Sequence, residues 1–103
     1  PTEPYSASKV WGEALARTYS DAHGISCICI RIGWVNAEDS SQGSPIAPVW
    51  SSQRDIVQMI EKCVDAPESL RFDIFYGISA NAHCWVDVKR GERIGYVPED
   101  GAG

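Results

Sequence analysis

A tyrosine and a lysine stand four positions apart near the start of the chain, as Tyr5 and Lys9. Residues at positions i and i+4 of a helix lie on one face, so a helix here would place the ammonium group beside the phenol ring. A nearby positive charge favours the phenolate form of a tyrosine and lowers its pKa from a reference value of about 10. The pair therefore predicts general acid–base chemistry near neutral pH.

The same spacing also has a purely structural explanation. A Tyr-x-x-x-Lys spacing is expected by chance in about one in ten chains of this composition, so the bare motif is weak. Lys9 also has Glu13 one turn further along a helix. A surface ion pair of that kind contributes only about 0.3–0.5 kcal/mol and has no catalytic meaning.

The surroundings of the pair favour the catalytic explanation. They form the run Pro4-Tyr5-Ser6-Ala7-Ser8-Lys9-Val10-Trp11-Gly12-Glu13. This run resembles the catalytic helix of the short-chain dehydrogenase/reductase superfamily, in the form typical of its extended branch, the NAD-dependent sugar epimerases and dehydratases. Arg31-Ile32-Gly33, residues 51–57, residues 75–81 and residues 95–100 follow in order, and they resemble the C-terminal part of members that act on sugar acids.

The resemblance implies a role for each candidate residue. Tyr5 would be the general acid/base at the substrate hydroxyl, and Lys9 would hold the nicotinamide ribose of NAD or NADP and lower the pKa of the tyrosine. The expected cofactor-binding residues are Tyr5, Lys9, Ile32 and Gly33, and the expected substrate-binding residues are Trp34 and Asn36. Gly33 is equally consistent with a plain turn, and Trp34 with an aromatic residue at the rim of a site. No metal site is expected.

The glycine-rich turn of dinucleotide-binding proteins is not found in this sequence. Such a turn lets the backbone approach the pyrophosphate at a helix N-terminus. The nine glycines here are scattered, and none precedes Gly12. We therefore expect the chain to be the C-terminal part of a larger NAD(P)-dependent oxidoreductase, epimerase or dehydratase. Its partner would be the missing N-terminal half, and the isolated chain would be inactive and bind no cofactor.

Hydrophobic periodicity predicts an α/β chain of helix, strand, helix, strand and short helix. The predicted elements cover residues 4–23, 25–35, 53–66, 72–78 and 85–93, in one domain of residues 1–103. The apolar run Cys27-Ile28-Cys29-Ile30 is typical of a parallel strand covered on both faces. Together with the resemblance, this indicates the C-terminal part of a Rossmann-like doubly wound sheet.

The first helix carries a stripe of apolar and small residues, which we expect to face the core. The stripe comprises Ala7, Val10, Trp11, Ala14, Leu15, Thr18 and Ala22. In the resembling family, the helix that carries the tyrosine often packs in a dimer interface, which implies a homodimer through the Tyr5–Lys9 helix. A non-catalytic dimerisation or assembly module is therefore the alternative to an enzyme.

Residues 37–52 are rich in Ser, Pro, Gly, Asp and Gln and predict a long loop. Family members that act on sugar acids commonly place an arginine here, but this segment has no arginine or lysine. Because a buried carboxylate without a cationic partner is costly, uronate specificity is in doubt. Arg54 is the nearest candidate, and it is expected to be a surface or structural residue of the following helix. Asn81 is expected to form a turn rather than bind substrate.

Composition excludes several classes of partner. The formal net charge is −5 without a basic run, which argues against binding to nucleic acid or an anionic membrane. The longest apolar run is far shorter than a membrane span requires. The four cysteines do not show a common zinc spacing and predict reduced thiols in a cytoplasmic protein. The resemblance implies that its substrate is a small-molecule sugar.

Overall fold

The computed structural model describes residues 3–103, which form two units. The first unit contains helix α1 (Pro4–His23), the first halves of both strands and the segment 67–74. The second unit contains residues 30–66 and 75–103, including helix α2 (Gln53–Val64) and two short 3-10 helices. Strands β1 (Cys27–Ile32) and β2 (Phe72–Gly77) each contribute residues to both units.

Helix α1 has the bounds that the sequence predicted. Glu3 is its N-cap, and its carboxylate accepts hydrogen bonds from the backbone amides of Tyr5 (3.0 Å) and Ser6 (2.8 Å). Pro4 stands in the first turn, where its missing amide hydrogen would be unpaired in any case. Gly24 ends the helix in the left-handed conformation at φ 68°, which glycine adopts without strain.

The expected orientation of α1 is wrong. The side of the helix that is covered carries small or polar residues, among which Ser20 is 4% exposed and donates from its hydroxyl to the Arg71 carbonyl (2.9 Å). The apolar stripe points the other way, with Val10 56% and Trp11 65% exposed. Periodicity locates an apolar face but does not say which molecule covers it, and none of the described residues of this unit does.

The two strands pair in parallel as one two-stranded sheet. Cys27 donates its backbone amide hydrogen to the Arg71 carbonyl (2.8 Å), and six residues later Gly33 donates to the Gly77 carbonyl (3.5 Å). Both strands are shorter than predicted, and Cys27–Ile30 is half-buried rather than covered on both faces. Within residues 3–103, the sheet has two strands, which explains this partial burial.

Helix α2 begins at the N-cap Ser52, whose hydroxyl accepts from the Asp55 amide (3.1 Å), and it ends at Val64, two residues earlier than predicted. Its buried face contributes Met59, which is fully buried with Phe75 in the core of the second unit. The short helix predicted over residues 85–93 is confirmed only in part. A 3-10 helix, Lys89–Ile94, forms instead, because the Asp87 carboxylate accepts from the Lys89 amide (2.9 Å) and offers the backbone a non-helical alternative.

Tyr96 closes the core of the second unit. Its side chain is 1% exposed, and its hydroxyl donates to the Ile78 carbonyl (2.8 Å). Burial raises the pKa of Tyr96, and the negative charges of Asp55 and Asp100 raise it further. The folded protein therefore keeps the phenolic proton at a pH where the unfolded chain loses it.

We predict that Tyr96→Phe lowers the free energy of unfolding at neutral pH by about 1–3 kcal/mol, because the buried Ile78 carbonyl loses its donor. The pKa of Tyr96 is raised on folding, so its contribution is complete below the unfolded pKa of about 10 and is lost as the pH rises above it. Urea denaturation from pH 7 to pH 11 should show that the difference in unfolding free energy between wild type and variant decreases above pH 10. A difference that stays constant would contradict this account.

Candidate functional site

The candidate acid–base pair lies in the first turns of α1. Lys9 Nζ is 5.2 Å from the centroid of the Tyr5 ring, so the i, i+4 geometry brings the charge and the phenol together as predicted. Tyr5 is 67% exposed, and Lys9 is also exposed. Both groups can therefore be reached by a ligand.

The backbone under this pair is fixed by groups that the sequence interpretation did not single out. The Glu3 carboxylate caps the helix at Tyr5 and Ser6 and also accepts from the Ser6 hydroxyl. These hydrogen bonds from Ser6, and then that from Tyr5, lower the pKa of Glu3. Ser8 donates its hydroxyl to the Tyr5 carbonyl (2.6 Å). A carboxylate just before a proline in the first turn was the available signal for this cap.

The other candidate residues lie in the second unit, where the chain leaves β1. Ile32 ends the strand and is 57% exposed. Trp34 donates its amide hydrogen to the Val49 carbonyl (2.9 Å), and its own carbonyl accepts from the Ser51 amide (2.8 Å). The segment after the strand is thus held against residues 49–51, and Trp34 and Trp50 form a parallel bridge.

Gly33 lies where the backbone of this segment is most crowded. A Cβ atom on Gly33 would lie 2.1 Å from the Val49 carbonyl oxygen and 3.0 Å from Ser51 Oγ. The residue is therefore required for close packing of the segment. This is a structural reason for glycine, and it applies whether or not a cofactor also approaches.

Asn36 uses its side chain to close the loop that follows. Its Nδ2 donates to the Ser40 carbonyl (2.6 Å), and its Oδ1 accepts from the Ser40 amide (3.2 Å) and from Trp50 Nε1 (3.5 Å). Gln53 Nε2 donates to the Asn36 carbonyl (3.0 Å), while the Gln53 amide donates to Asp39 Oδ1 (2.8 Å). The start of the loop is thereby fixed to the first residue of α2.

Residues 37–52 contain more structure than their composition indicates. The 3-10 helix Ala47–Val49 lies within them, and Trp50, Ser51 and Ser52 at their end are buried. The Ser51 hydroxyl donates to the Gly77 carbonyl. Backbone contact with the ends of both strands gives this segment a defined course.

Arg54 and Asn81 have structural partners. Arg54 lies in α2 and forms two hydrogen bonds to the Asp100 carboxylate, at 2.7 and 2.8 Å, with Glu99 Oε2 at 3.3 Å. The hydrogen bond from Arg54 holds the pKa of Asp100 below its usual range. Asn81 donates to the Pro48 carbonyl (3.1 Å) and the Trp50 carbonyl (2.8 Å). The contacts of Arg54 agree with its predicted structural role, whereas the Asn81 side chain binds distant backbone groups instead of forming a local turn.

A buried carboxylate, which the sequence did not reveal, organises the second unit. Asp55 is fully buried, and its carboxylate accepts from the Ser79 hydroxyl (2.6 Å) and from the amides of Glu99 (2.7 Å) and Asp100 (3.1 Å). Ser79 Oγ in turn accepts from the Ser52 amide (2.9 Å). An aspartate in the first turn of a helix is usually a dipole-stabilising surface residue, so burial was not predictable.

The structure thus brings the candidates together in two sets. Tyr5 and Lys9 form one set in the first unit, and the second unit holds the other, from Ile32 to Asn36. Among the described residues, no group of three or more His, Cys, Asp or Glu side chains could hold a metal ion. Neither α1 nor α2 has the length and apolar character that a helix needs to cross a membrane.

Comparison with known proteins supplies a further observation. The chain is 36% identical over 100 residues to a uronate dehydrogenase of Pseudomonas putida, covering 97% of this chain and 36% of that protein. It is similar to uronate dehydrogenases. It is also 34% identical over 113 residues to an L-arabinose 1-dehydrogenase (NAD(P)(+)) of Haloferax volcanii, covering 97% of this chain and 43% of that protein. No family model matches the sequence.

Solved structures give the same result. The crystal structure of uronate dehydrogenase from Agrobacterium tumefaciens matches with a TM-score of 0.85 and 33% identity, over 99% of this chain and 38% of that one. A tyrosine-to-alanine variant of that enzyme, complexed with NAD, matches with a TM-score of 0.81. The chain therefore spans well under half the length of the dehydrogenases that it matches.

We predict that Gly33→Ala destabilises the protein by about 1–3 kcal/mol or more, because the new methyl group overlaps the Val49 carbonyl. Gly12→Ala is the matched control. Gly12 lies within α1, and a methyl group added there would meet no atom within 4 Å, so the change should stabilise the helix by about 0.5–1 kcal/mol. Urea denaturation of both variants checks the prediction. Equal unfolding free energies for Gly33→Ala and Gly12→Ala would contradict the close approach of the Val49 carbonyl to Gly33.

Proposed function

We propose that this chain carries the acid–base helix of an NAD(P)-dependent oxidoreductase that oxidises a sugar or sugar acid. Tyr5 is the general base that takes the proton of the substrate hydroxyl, and Lys9 supplies positive charge beside it. The observation that carries the proposal is the exposed Tyr5–Lys9 pair, 5.2 Å from ammonium nitrogen to ring centroid, in a chain similar to uronate dehydrogenases over 97% of its length.

The chemistry divides between this chain and the cofactor. Removing the hydroxyl proton leaves electron density on the substrate oxygen, which favours departure of a hydride from the adjacent carbon. A bound NAD or NADP would supply the acceptor for that hydride. The residues here suit such a group, because the exposed Lys9 ammonium and Tyr5 hydroxyl can both contact the hydroxyls of a ribose.

The segment after β1, in the second unit, holds the other candidate residues. In open parallel sheets, ligands bind beyond the carboxyl ends of the strands, and Ile32 and Gly33 stand at that end of β1. We assign Ile32 and Gly33 to the cofactor, and Trp34 and Asn36 to the substrate side. For Asn36 this role is indirect, because its side-chain amide holds the loop at Ser40.

We also propose that this chain forms the C-terminal part of a doubly wound Rossmann-like fold, and that a further polypeptide segment supplies the dinucleotide-binding half. The sequence contains no glycine-rich turn to hold the pyrophosphate, so we expect the 103-residue chain alone not to reduce NAD with any sugar acid. NAD reduction by the isolated chain would show that it needs no further dinucleotide-binding part.

The test uses the full product of the gene that encodes this chain. We predict that Tyr5→Phe lowers kcat for NAD reduction about a hundredfold to ten-thousandfold, because the base is lost. Lys9→Met should lower kcat and also raise the KM for the cofactor. Tyr19→Phe is the matched control, since Tyr19 lies on the same helix and is 49% exposed.

Circular dichroism should show that all three variants fold, because the replaced side chains are exposed. If Tyr5→Phe retained the activity of Tyr19→Phe, Tyr5 would not be the base. The helix would then serve a structural role only.

Assembly is a second candidate function, and the exposed face of α1 favours it. Val10, Trp11 and Leu15 are each between 38% and 65% exposed, and Trp11 and Leu15 lie four residues apart on one face. Such a stripe is typical of a helix that packs against another protein surface. We propose that a second copy of the chain covers it, through the helix that carries Tyr5 and Lys9.

We predict that Trp11→Lys abolishes self-association, because a charge replaces the largest apolar side chain on this face. Sedimentation velocity over a range of concentrations should show wild type as a dimer and the variant as a monomer. Val64→Lys is the control, because Val64 is 79% exposed on a different helix and should leave the dimer intact. Monomeric wild-type protein at every concentration would contradict the assembly proposal.

A further inference from the structure

The charges near the carboxyl ends of the two strands are unevenly distributed. The segments that follow β1 and β2, residues 33–52 and 78–82, contain Glu38 and Asp39 and no lysine or arginine. Their polar side chains are otherwise neutral serines, asparagines and a glutamine. Ser51, Ser52, Ser79 and Asn81 are buried, whereas Ser41 is half-buried and Gln42 is exposed. A ligand beyond these strand ends can therefore meet the Ser41 hydroxyl and the Gln42 amide together with negative charge.

The two arginines nearest in sequence to these segments are already engaged. Arg54 forms the two-pronged hydrogen bond with Asp100 and lies 3.3 Å from Glu99. Arg31 donates to the Tyr76 hydroxyl (2.9 Å) and stacks at 5.5 Å from the Tyr76 ring centroid. Using either arginine for a ligand carboxylate would require breaking these contacts.

The acidic loop has a defined position. Asp39 adopts φ 53°, and its carboxylate accepts from the Gln53 amide, which fixes it at the start of α2. Glu38 beside it is exposed. The fixed start of the loop therefore carries two adjacent acidic side chains.

We infer that the substrate is a neutral aldose and that Glu38 and Asp39 disfavour uronates. A carboxylate needs cationic partners to offset its lost hydration, and these segments supply none. The hydroxyl groups of an uncharged sugar need only neutral donors and acceptors, such as the side chains of Ser41 and Gln42. The inference rests on the proposed oxidoreductase function and narrows it. The similarity to an L-arabinose 1-dehydrogenase agrees with this inference. The similarity to uronate dehydrogenases favours an acidic sugar instead, so an assay with both kinds of sugar separates the two alternatives.

The experiment compares D-galactose with D-galacturonate, which differ only in a hydroxymethyl group against a carboxylate, and adds L-arabinose as a second neutral sugar. The full gene product is assayed for NAD reduction at low ionic strength. We expect kcat/KM for the neutral sugars to exceed that for galacturonate about tenfold or more. Added salt should narrow the gap, because it screens the repulsion.

Two variants test whether the charge of Glu38 causes the expected preference for neutral sugars over galacturonate. Glu38→Gln should raise the galacturonate-to-galactose ratio of kcat/KM about two- to fivefold, the size expected for one exposed charge, and Gln42→Arg should raise it by a similar factor. Glu61→Gln near the far end of α2 is the control and should leave the ratio unchanged.

Galacturonate turnover as efficient as that of galactose would overturn the inference while leaving the oxidoreductase proposal in place. An unchanged ratio in Glu38→Gln would overturn the role assigned to the acidic loop. Absence of turnover with all three sugars would overturn the oxidoreductase proposal and this inference with it.

Discussion

The second unit depends on the buried carboxylate of Asp55. A carboxylate removed from water requires hydrogen-bond donors, and here they come from the Ser79 hydroxyl and the amides of Glu99 and Asp100. Those three donors belong to the segment after β2 and to the C-terminal tail. One side chain in the first turn of α2 therefore fixes two irregular segments that have little regular secondary structure of their own.

This constraint extends to the candidate site through α2. The helix that carries Asp55 begins at Gln53, and Gln53 binds the backbone of Asn36 and the carboxylate of Asp39. The course of the chain beyond β1 is thus set by these hydrogen bonds together with the burial of Trp50. Gly33 completes the arrangement, because it alone allows the Val49 carbonyl to approach.

Local sequence signals predicted much of this fold. Proline in the first turn and Gly24 at the end indicate the bounds of α1, and apolar periodicity indicates α2. The i, i+4 spacing of Tyr5 and Lys9 correctly indicated their contact. These features depend on interactions between residues within one turn of helix, and such local interactions can be predicted from a single sequence.

The failures involve contacts between distant parts of the chain or with other molecules. Periodicity detected the apolar face around Trp11 but assigned it to a core, although the covered side of α1 is the one with Ser20. The burial of Asp55 depends on partners 24 to 45 residues away, which no local pattern encodes. The last helix begins later than predicted, at Lys89, because the Asp87 side chain offers its backbone a non-helical hydrogen bond.

We propose that α1 supplies the acid–base pair of a nicotinamide-dependent dehydrogenase. The most direct measurement replaces the matching 100 residues of the Pseudomonas putida uronate dehydrogenase with this chain and follows NADH formation with neutral and acidic sugars. We expect a folded chimera with sugar-dependent NADH formation that is lost in Tyr5→Phe and kept in Tyr19→Phe. A folded, NAD-binding chimera whose activity is absent, or is unaffected by Tyr5→Phe, would contradict the claim.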